Sequence, residues 1–430
     1  MKEAIRNIIV YILTLEARAV LKKYKPQIVV VTGSVGKTST KDAAYAALKH
    51  HAFVRKSEKS YNSDIGVPLT ILGVPNGWGN IVQWIKNILD GFLVLLVTTP
   101  YPRWLILEVS ADRPGDISRA LSWLKPDIVV ATRFPEVPVH VEFYTSPEDV
   151  IKEELFPVTL LRTAGTFVLN SDDSHASKTD SREDVKRITY GFSKDADVRA
   201  SHYRVLTNSG MPNGISFAIS HGEEKLQVSL YGVVGQAQVY ALLGGVAGAF
   251  AAGASLSNMK NLVDEYESPP GRMRLVAGTR GTVVIDDSYN ASPVATEEAL
   301  HTLKNLPVQK RRIAVLGDML ELGNYSAREH KRIGEIAKDS VDVLVTVGVR
   351  ARQIKEGALA LGMNEESIHS FENGSDSIDL LLSFIEHGDV ILIKGSQSMR
   401  MERVVKALMK NQDAASKTLA RQDPEWLARP

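Results

Sequence analysis

The sequence predicts an α/β protein built on mainly parallel sheets in more than one domain. Three observations carry that prediction. Apolar runs of strand length alternate with segments of helical periodicity, a glycine-rich turn joins the first run directly to a helix, and the alternation starts afresh after Ser268, Pro269, Pro270 and Gly271. The 430 residues suffice for two or three domains with separate cores.

The rest of the chain is organised around residues 27–51, QIVVVTGSVGKTSTKDAAYAALKHH. Residues 28–32 read as a buried strand, and Gly33 and Gly36 let the following turn aim successive N–H groups at one anion. The helix starting near Lys37 adds its positive end. Strand, glycine loop and helix together predict phosphate binding by Gly33, Ser34, Val35, Gly36, Lys37, Thr38 and Ser39, with Lys37 on the outer phosphates and Thr38 on magnesium. Only two residues separate Gly33 from Gly36, where the usual loop has about four.

Composition narrows the partners. With 51 basic and 50 acidic residues, the net charge of +1 leaves no excess to track a nucleic-acid backbone. The absence of cysteine excludes disulfides, thiolate catalysis and Cys-ligated metals, and suits a cytoplasmic protein. Residues 5–21 are apolar but interrupted by Arg6, Glu16 and Arg18, so a helix is expected rather than a signal peptide. Residues 81–97 are too interrupted to span a bilayer. Their apolar side suits either packing on the main domain or a weak contact with a membrane surface.

In chain order, residues 59–73 place Asn62 and Asp64 on a polar loop that suits a ligand-facing position or an ordinary connection. A strand over 104–109 delivers Glu108 to its carboxyl end, where open parallel sheets bind ligands. Another over 127–132 leads to His140 and a short helix carrying Lys152. Residues 165–173 read as a strand ending in Asn170, Asp172 and Asp173, a polar cluster suited to a base or ribose. Residues 197–228 alternate like antiparallel strands, and the small residues after them predict close helix packing. Beyond the linker, strands are expected at 282–286, 312–316, 341–347 and 389–393.

As an ordered set, TGSVGKTST, NSDIGVPLT, LILEVS, PVHVE, IKEEL, LNSDD, GRM, DDSYNASP, LGDMLELG and KGSQSM resemble the Mur ligase family of ATP-dependent amide-bond-forming enzymes, over residues 26–410. The resemblance implies a central P-loop ATPase domain over 26–268 and a Rossmann-like α/β domain over 269–430 on the amine-substrate side, behind the N-terminal helix read at residues 1–25. It implies ATP, two Mg2+ ions and a carbamoylated lysine at Lys152. Catalytic roles fall on Lys37, Glu108, His140 and Lys152, with Thr38, Glu108, His140 and Lys152 toward metal. Asn170, Arg272 and Asp286 join the loop in binding ATP, and Asn62, Asp64, Asn290, Asp318, Glu321 and Lys394 take the substrates.

The implied reaction joins a UDP-linked or other peptide carboxylate to an amino acid or dipeptide, D-alanyl-D-alanine being the expected amine, through an acyl phosphate in peptidoglycan precursor synthesis. A monomer is expected. Three positions depart from the family pattern: one helix stands where a UDP-sugar domain usually precedes the loop, Ala237 and Gln238 replace a His-Asn pair, and Arg133 replaces an asparagine. A folylpolyglutamate-type or other peptide ligase fits the same residues, and so does a nucleotide-binding scaffold with impaired turnover.

Overall fold

Five consecutive side chains of the first strand, β1 (Gln27–Thr32), are buried, which demands cover on both sheet faces. The computed structural model describes residues 2–58, 63–259 and 261–428. In it β1 lies inside a nine-stranded sheet with β2 (Val54–Lys56), β3 (Trp104–Glu108), β4 (Ile128–Ala131), β5 (Thr166–Asn170), β6 (Lys186–Gly191), β7 (Val198–Asn208), β8 (Met211–His221) and β9 (Glu224–Tyr231). The order is β2-β3-β1-β4-β5-β6-β7-β8-β9, parallel as far as β7 and antiparallel from β7 to β9.

Strand alternation divides the cover. Val29 and Val31 face the helices Lys37–Leu48 and Gln236–Ala251, whereas Ile28 and Val30 share a core with Leu13, Ala17 and Val20 of the helix Lys2–Tyr24. Leu13 and Val20 are fully buried, each contributing roughly 1.5–3 kcal/mol, so this helix is part of the core. The small-residue stretch packs as expected: a Cβ on Gly245 would stand 2.5 Å from the Ala43 Cβ and the Ala44 nitrogen.

The second sheet contains β10 (Arg274–Ala277), β11 (Val283–Asp287), β12 (Arg312–Gly317), β13 (Val343–Val347), β14 (Ile368–Phe371) and β15 (Val390–Lys394), in the order β10-β11-β15-β12-β13-β14. Only β10 runs antiparallel to its neighbour. β2, β6, β10 and β14 had no clear apolar signal. They are short or polar segments, such as VRK and KRITYG, that become strands because a neighbour supplies hydrogen bonds.

The helix Ile81–Leu96 buries Trp84, Asn87 and Gly91, and packs against the helix Lys2–Tyr24. Its other side exposes Ile81, Val82, Ile85, Leu89, Phe92 and Leu93. The inner face thus packs on the main domain, as one sequence reading expected, and the opposite face is apolar and exposed. No helix among the described residues is long and apolar enough to cross a membrane.

Candidate active site

The carboxyl end of β1 runs into the glycine loop, and the two sheets meet across a cavity of about 500 Å³. Ser34, Val35 and Gly36 line one wall, and Arg272, Asp287 and Lys394 line the other. That volume lies within the range of small-molecule sites.

Sterics dictate the loop's shape. Gly33 has φ +122°, and a Cβ there would stand 2.2 Å from Thr132 Oγ1. Gly36 caps the helix Lys37–Leu48 at φ 89°. The Ser34 and Val35 N–H groups donate to the Arg133 carbonyl at 2.9 and 3.3 Å, which ties the loop to the end of β4. The N–H groups of Lys37, Thr38 and Ser39, in the first helical turn, have no acceptor four residues back, as an anion site requires. The Lys37 ammonium folds back to donate to the Gly33 carbonyl.

Below the loop lie two buried carboxylates. Glu108, ending β3, accepts from Thr38 Oγ1 at 2.9 Å through Oε1, while Oε2 lies 3.4 Å from Lys41 Nζ and has no hydrogen-bond partner. Glu154, in the helix Pro147–Thr159, accepts from Ser34 Oγ at 2.5 Å through Oε2 and places Oε1 3.7 Å from Lys37 Nζ. Burial raises the Glu154 pKa, opposed by Lys37 and by the Ser34 hydrogen bond. Thr38 and Glu108 fit a magnesium ion that takes its other ligands from phosphate and water, because they are hard oxygens and Glu108 Oε2 is buried without a hydrogen-bond partner. Among the described residues no group of three or more acidic or histidine side chains is arranged to hold a metal ion.

His140 bridges the two halves. Its Nδ1 is 2.6 Å from Glu321 Oε2 on the loop after β12, and its Nε2 is 3.5 Å from Asp112 Oδ1. The His140 contact holds the Glu321 carboxyl below its usual pKa. A second tie pairs Arg133 with Glu298 of the helix Pro293–Asn305.

Two expectations are corrected. Lys152 does not join His140: its side chain is 79% exposed and its ammonium lies 3.7 Å from Asp149 on its own helix. At about 100° per residue, two steps along a helix turn to nearly the opposite face, so Glu154 points inward where Lys152 points out. Asp286 does not line the cavity. It is fully buried, bonds to Ser288 Oγ and N, and is pushed up to about 6 by burial, while strand alternation presents its neighbour Asp287 instead.

The remaining expected residues divide. Arg272 stacks 4.2 Å over the Tyr289 ring beside the cavity, and Asn290 and Lys394 line it. Lys394 is held by Asp287 Oδ2 at 2.6 Å and the Asn290 carbonyl at 3.0 Å. Asn170 lines a smaller pocket beside Tyr240, Thr132 and Arg133, and there accepts from the Asp172 N–H. Asp318 is buried and accepts from the Ala351 N–H at 2.7 Å, a structural duty at a helix start. Asp64 pairs with Arg6 of the first helix at 2.6 Å, and Asn62 lies outside the described residues. Gln238, at the replaced His-Asn pair, is buried and links the Arg272 carbonyl to the Tyr266 hydroxyl.

Two family models cover most of the chain: the Mur ligase middle domain matches residues 31–82 and 93–249, and the Mur ligase glutamate ligase domain matches 271–397. The chain belongs to the Mur ligase family. This Mur ligase is 26% identical over 396 residues to the UDP-N-acetylmuramoyl-tripeptide–D-alanyl-D-alanine ligase of Bacillus subtilis, covering 92% of this chain and 78% of that one. To the Escherichia coli ligase of the same name it is 27% identical, covering 90% and 77%. The solved structure of MurF from Acinetobacter baumannii superposes with a TM-score of 0.76 at 21% identity, covering 93% and 80%. The ADP complex of the Thermotoga maritima MurF ligase does so at 0.73 and 22%, covering 95% and 84%. The middle-domain match skips residues 83–92, which fall within the half-exposed helix Ile81–Leu96.

Sequence reasoning missed Lys41, Glu154 and Asp287 in this Mur ligase. A signal for Glu154 was present: it continues the buried phase of Val150 and Val158 at four-residue steps, a place where a solvated glutamate is out of pattern. Asp287 and Lys41 carried none, because either aspartate of a DD pair and any lysine of a helix reads alike without a partner.

Proposed function

We propose that this Mur ligase is an ATP-dependent peptide ligase of peptidoglycan precursor synthesis that adds D-alanyl-D-alanine to a UDP-linked muramoyl tripeptide, acting as a cytoplasmic monomer. The observation that carries it is the cavity between the sheets, with a phosphate loop on one wall and Arg272, Asp287 and Lys394 on the other. A nucleotide's triphosphate placed at the loop would leave its γ-phosphate facing the second domain, where the acceptor amine must arrive.

In the reaction a substrate carboxylate oxygen attacks the γ-phosphorus, the bond to the β–γ bridging oxygen breaks, and ADP leaves. The amine then attacks the acyl carbon, the carbon–oxygen bond to phosphate breaks, and phosphate and a proton are released. Lys37 and the loop amides hold the phosphates and offset repulsion between the two anions. Magnesium held by Thr38 and Glu108 would neutralise charge on the transferring phosphoryl group. Arg272 and Asn170 take the nucleotide from either side, and Asn290, Glu321 and Lys394 form the amine side. His140, tied to Glu321, couples the phosphate site to domain closure, which keeps water from the acyl phosphate. The apolar outer face of the helix Ile81–Leu96 suits a shallow contact with a membrane surface.

The test is incubation with ATP and a panel of UDP-muramoyl peptides and amines, with detection of amide product and phosphate, together with hydroxylamine trapping in the absence of amine. An acyl hydroxamate and a D-alanyl-D-alanine adduct are expected. Product from folate and glutamate alone would transfer the assignment to a folylpolyglutamate-type ligase.

A further inference from the structure

Beyond residue 397, where the match to the C-terminal family model ends, the chain folds back onto the second sheet. Ala415 and Leu419 are buried in the core that Val284, Ile313 and Ile391 of that sheet share. They bring Arg421, which is 7% exposed and has φ +58°, against the loop after β11. Its guanidinium donates to the Ser288 carbonyl through Nη1 at 3.3 Å and to the Tyr289 carbonyl through Nη2, and it stands 4.9 Å over the Tyr289 ring. Glu402 Oε2 accepts from the same Nη1 at 3.2 Å and supplies the counter-charge that a buried cation needs. The next carbonyl in the loop, that of Asn290, is held by Lys394. Three consecutive carbonyls are thus engaged by two cations, in the loop that lines the cavity with Asn290, Ala291 and Ser292.

Arg272 reaches the cavity over the same Tyr289 ring, 4.2 Å from its centroid. We propose that Arg421 is a positioning residue for the nucleotide: it fixes Tyr289, and Tyr289 carries the Arg272 guanidinium at the cavity wall. The assignment rests on the reading of Arg272 as a nucleotide-binding residue. Arg421 is not among the residues that line the cavity, so its effect passes through the loop. A guanidinium suits this place because its planar fork holds two carbonyls while its face lies over a ring, whereas an ammonium is a point charge that cannot do both. The C-terminal segment is thereby part of the nucleotide site without touching the nucleotide.

Calorimetry of Mg-ADP binding and ATP-dependent turnover of the full-length chain test this. Arg421→Lys keeps a cation beside Glu402 and loses the fork. It is expected to melt within a few degrees of the parent, to weaken Mg-ADP about fivefold and to raise the KM for ATP by a similar factor, with a smaller change in kcat. Arg421→Met should weaken Mg-ADP about tenfold. In an Arg272→Met background, where binding is already weakened, adding Arg421→Lys is expected to change the affinity by less than about twofold, because the group it positions is gone. The same loss in both backgrounds would assign Arg421 to holding the tail alone and would overturn the proposal. Parental affinity in Arg421→Lys or in Arg272→Met would overturn it too. If the parent binds Mg-ADP yet forms no amide with any substrate pair, the ligase reading fails, and the binding cycle still decides Arg421.

Discussion

His140 Nδ1 stands 2.6 Å from Glu321 Oε2, so the loop after β4 in the first sheet is held directly by the loop after β12 in the second. The Glu142 N–H donates to the Glu321 carbonyl at 3.3 Å beside it. These two contacts, one side-chain pair and one backbone bond, join the two loops across the seam. Glu321→Ala is expected to speed hydrogen exchange of residues 140–144 and 318–325 several-fold, corresponding to a loss of about 1 kcal/mol. Unchanged exchange in both segments would show that the pair does not hold the seam.

Lys37→Ala removes the ammonium that faces the proposed phosphates. Turnover of ATP is expected to fall at least about 100-fold while the far-ultraviolet circular dichroism and melting temperature stay near the parent values. Near-normal phosphate release would mean that the loop does not hold the γ-phosphate.

Gly33→Ala tests the loop's steric requirement. The new Cβ would overlap Thr132 Oγ1 and the residue would have to keep φ +122°, so a loss of about 1–3 kcal/mol in unfolding free energy is expected. The variant paired with Thr132→Ser should remain destabilised, because the hydroxyl and the backbone strain both persist. Full stability of the single variant would show that the loop relaxes freely.

Glu16 gives a pH signature far from the cavity. Burial in the first helix pushes its carboxyl up to about 7, and its Oε2 has no hydrogen-bond partner. The folded state therefore holds a proton that the unfolded state releases between pH of about 4.5 and 7, and the stability contribution of this group falls as pH rises through that window. Glu16→Gln is expected to raise the melting temperature above pH 7, and the gain should shrink and vanish toward pH 4.5. A gain independent of pH would assign the effect to packing.

Much of this protein is written locally. The strand, glycine loop and helix at residues 27–51 announce themselves because strand burial, turn geometry and helix initiation each depend on neighbours within a few residues. The alternation of strands and helices and the order of motifs likewise gave the α/β class and the family without any long-range information. Tertiary structure alone decided which member of an adjacent set faces the cavity: Glu154 rather than Lys152, and Asp287 rather than Asp286. The reason is phase. One residue along a strand reverses the face and two along a helix nearly do, so KEE and DD runs read the same until packing sets the orientation. The seam contacts His140–Glu321 and Arg133–Glu298 join residues more than 150 positions apart, and only the meeting of the two sheets brings them within reach.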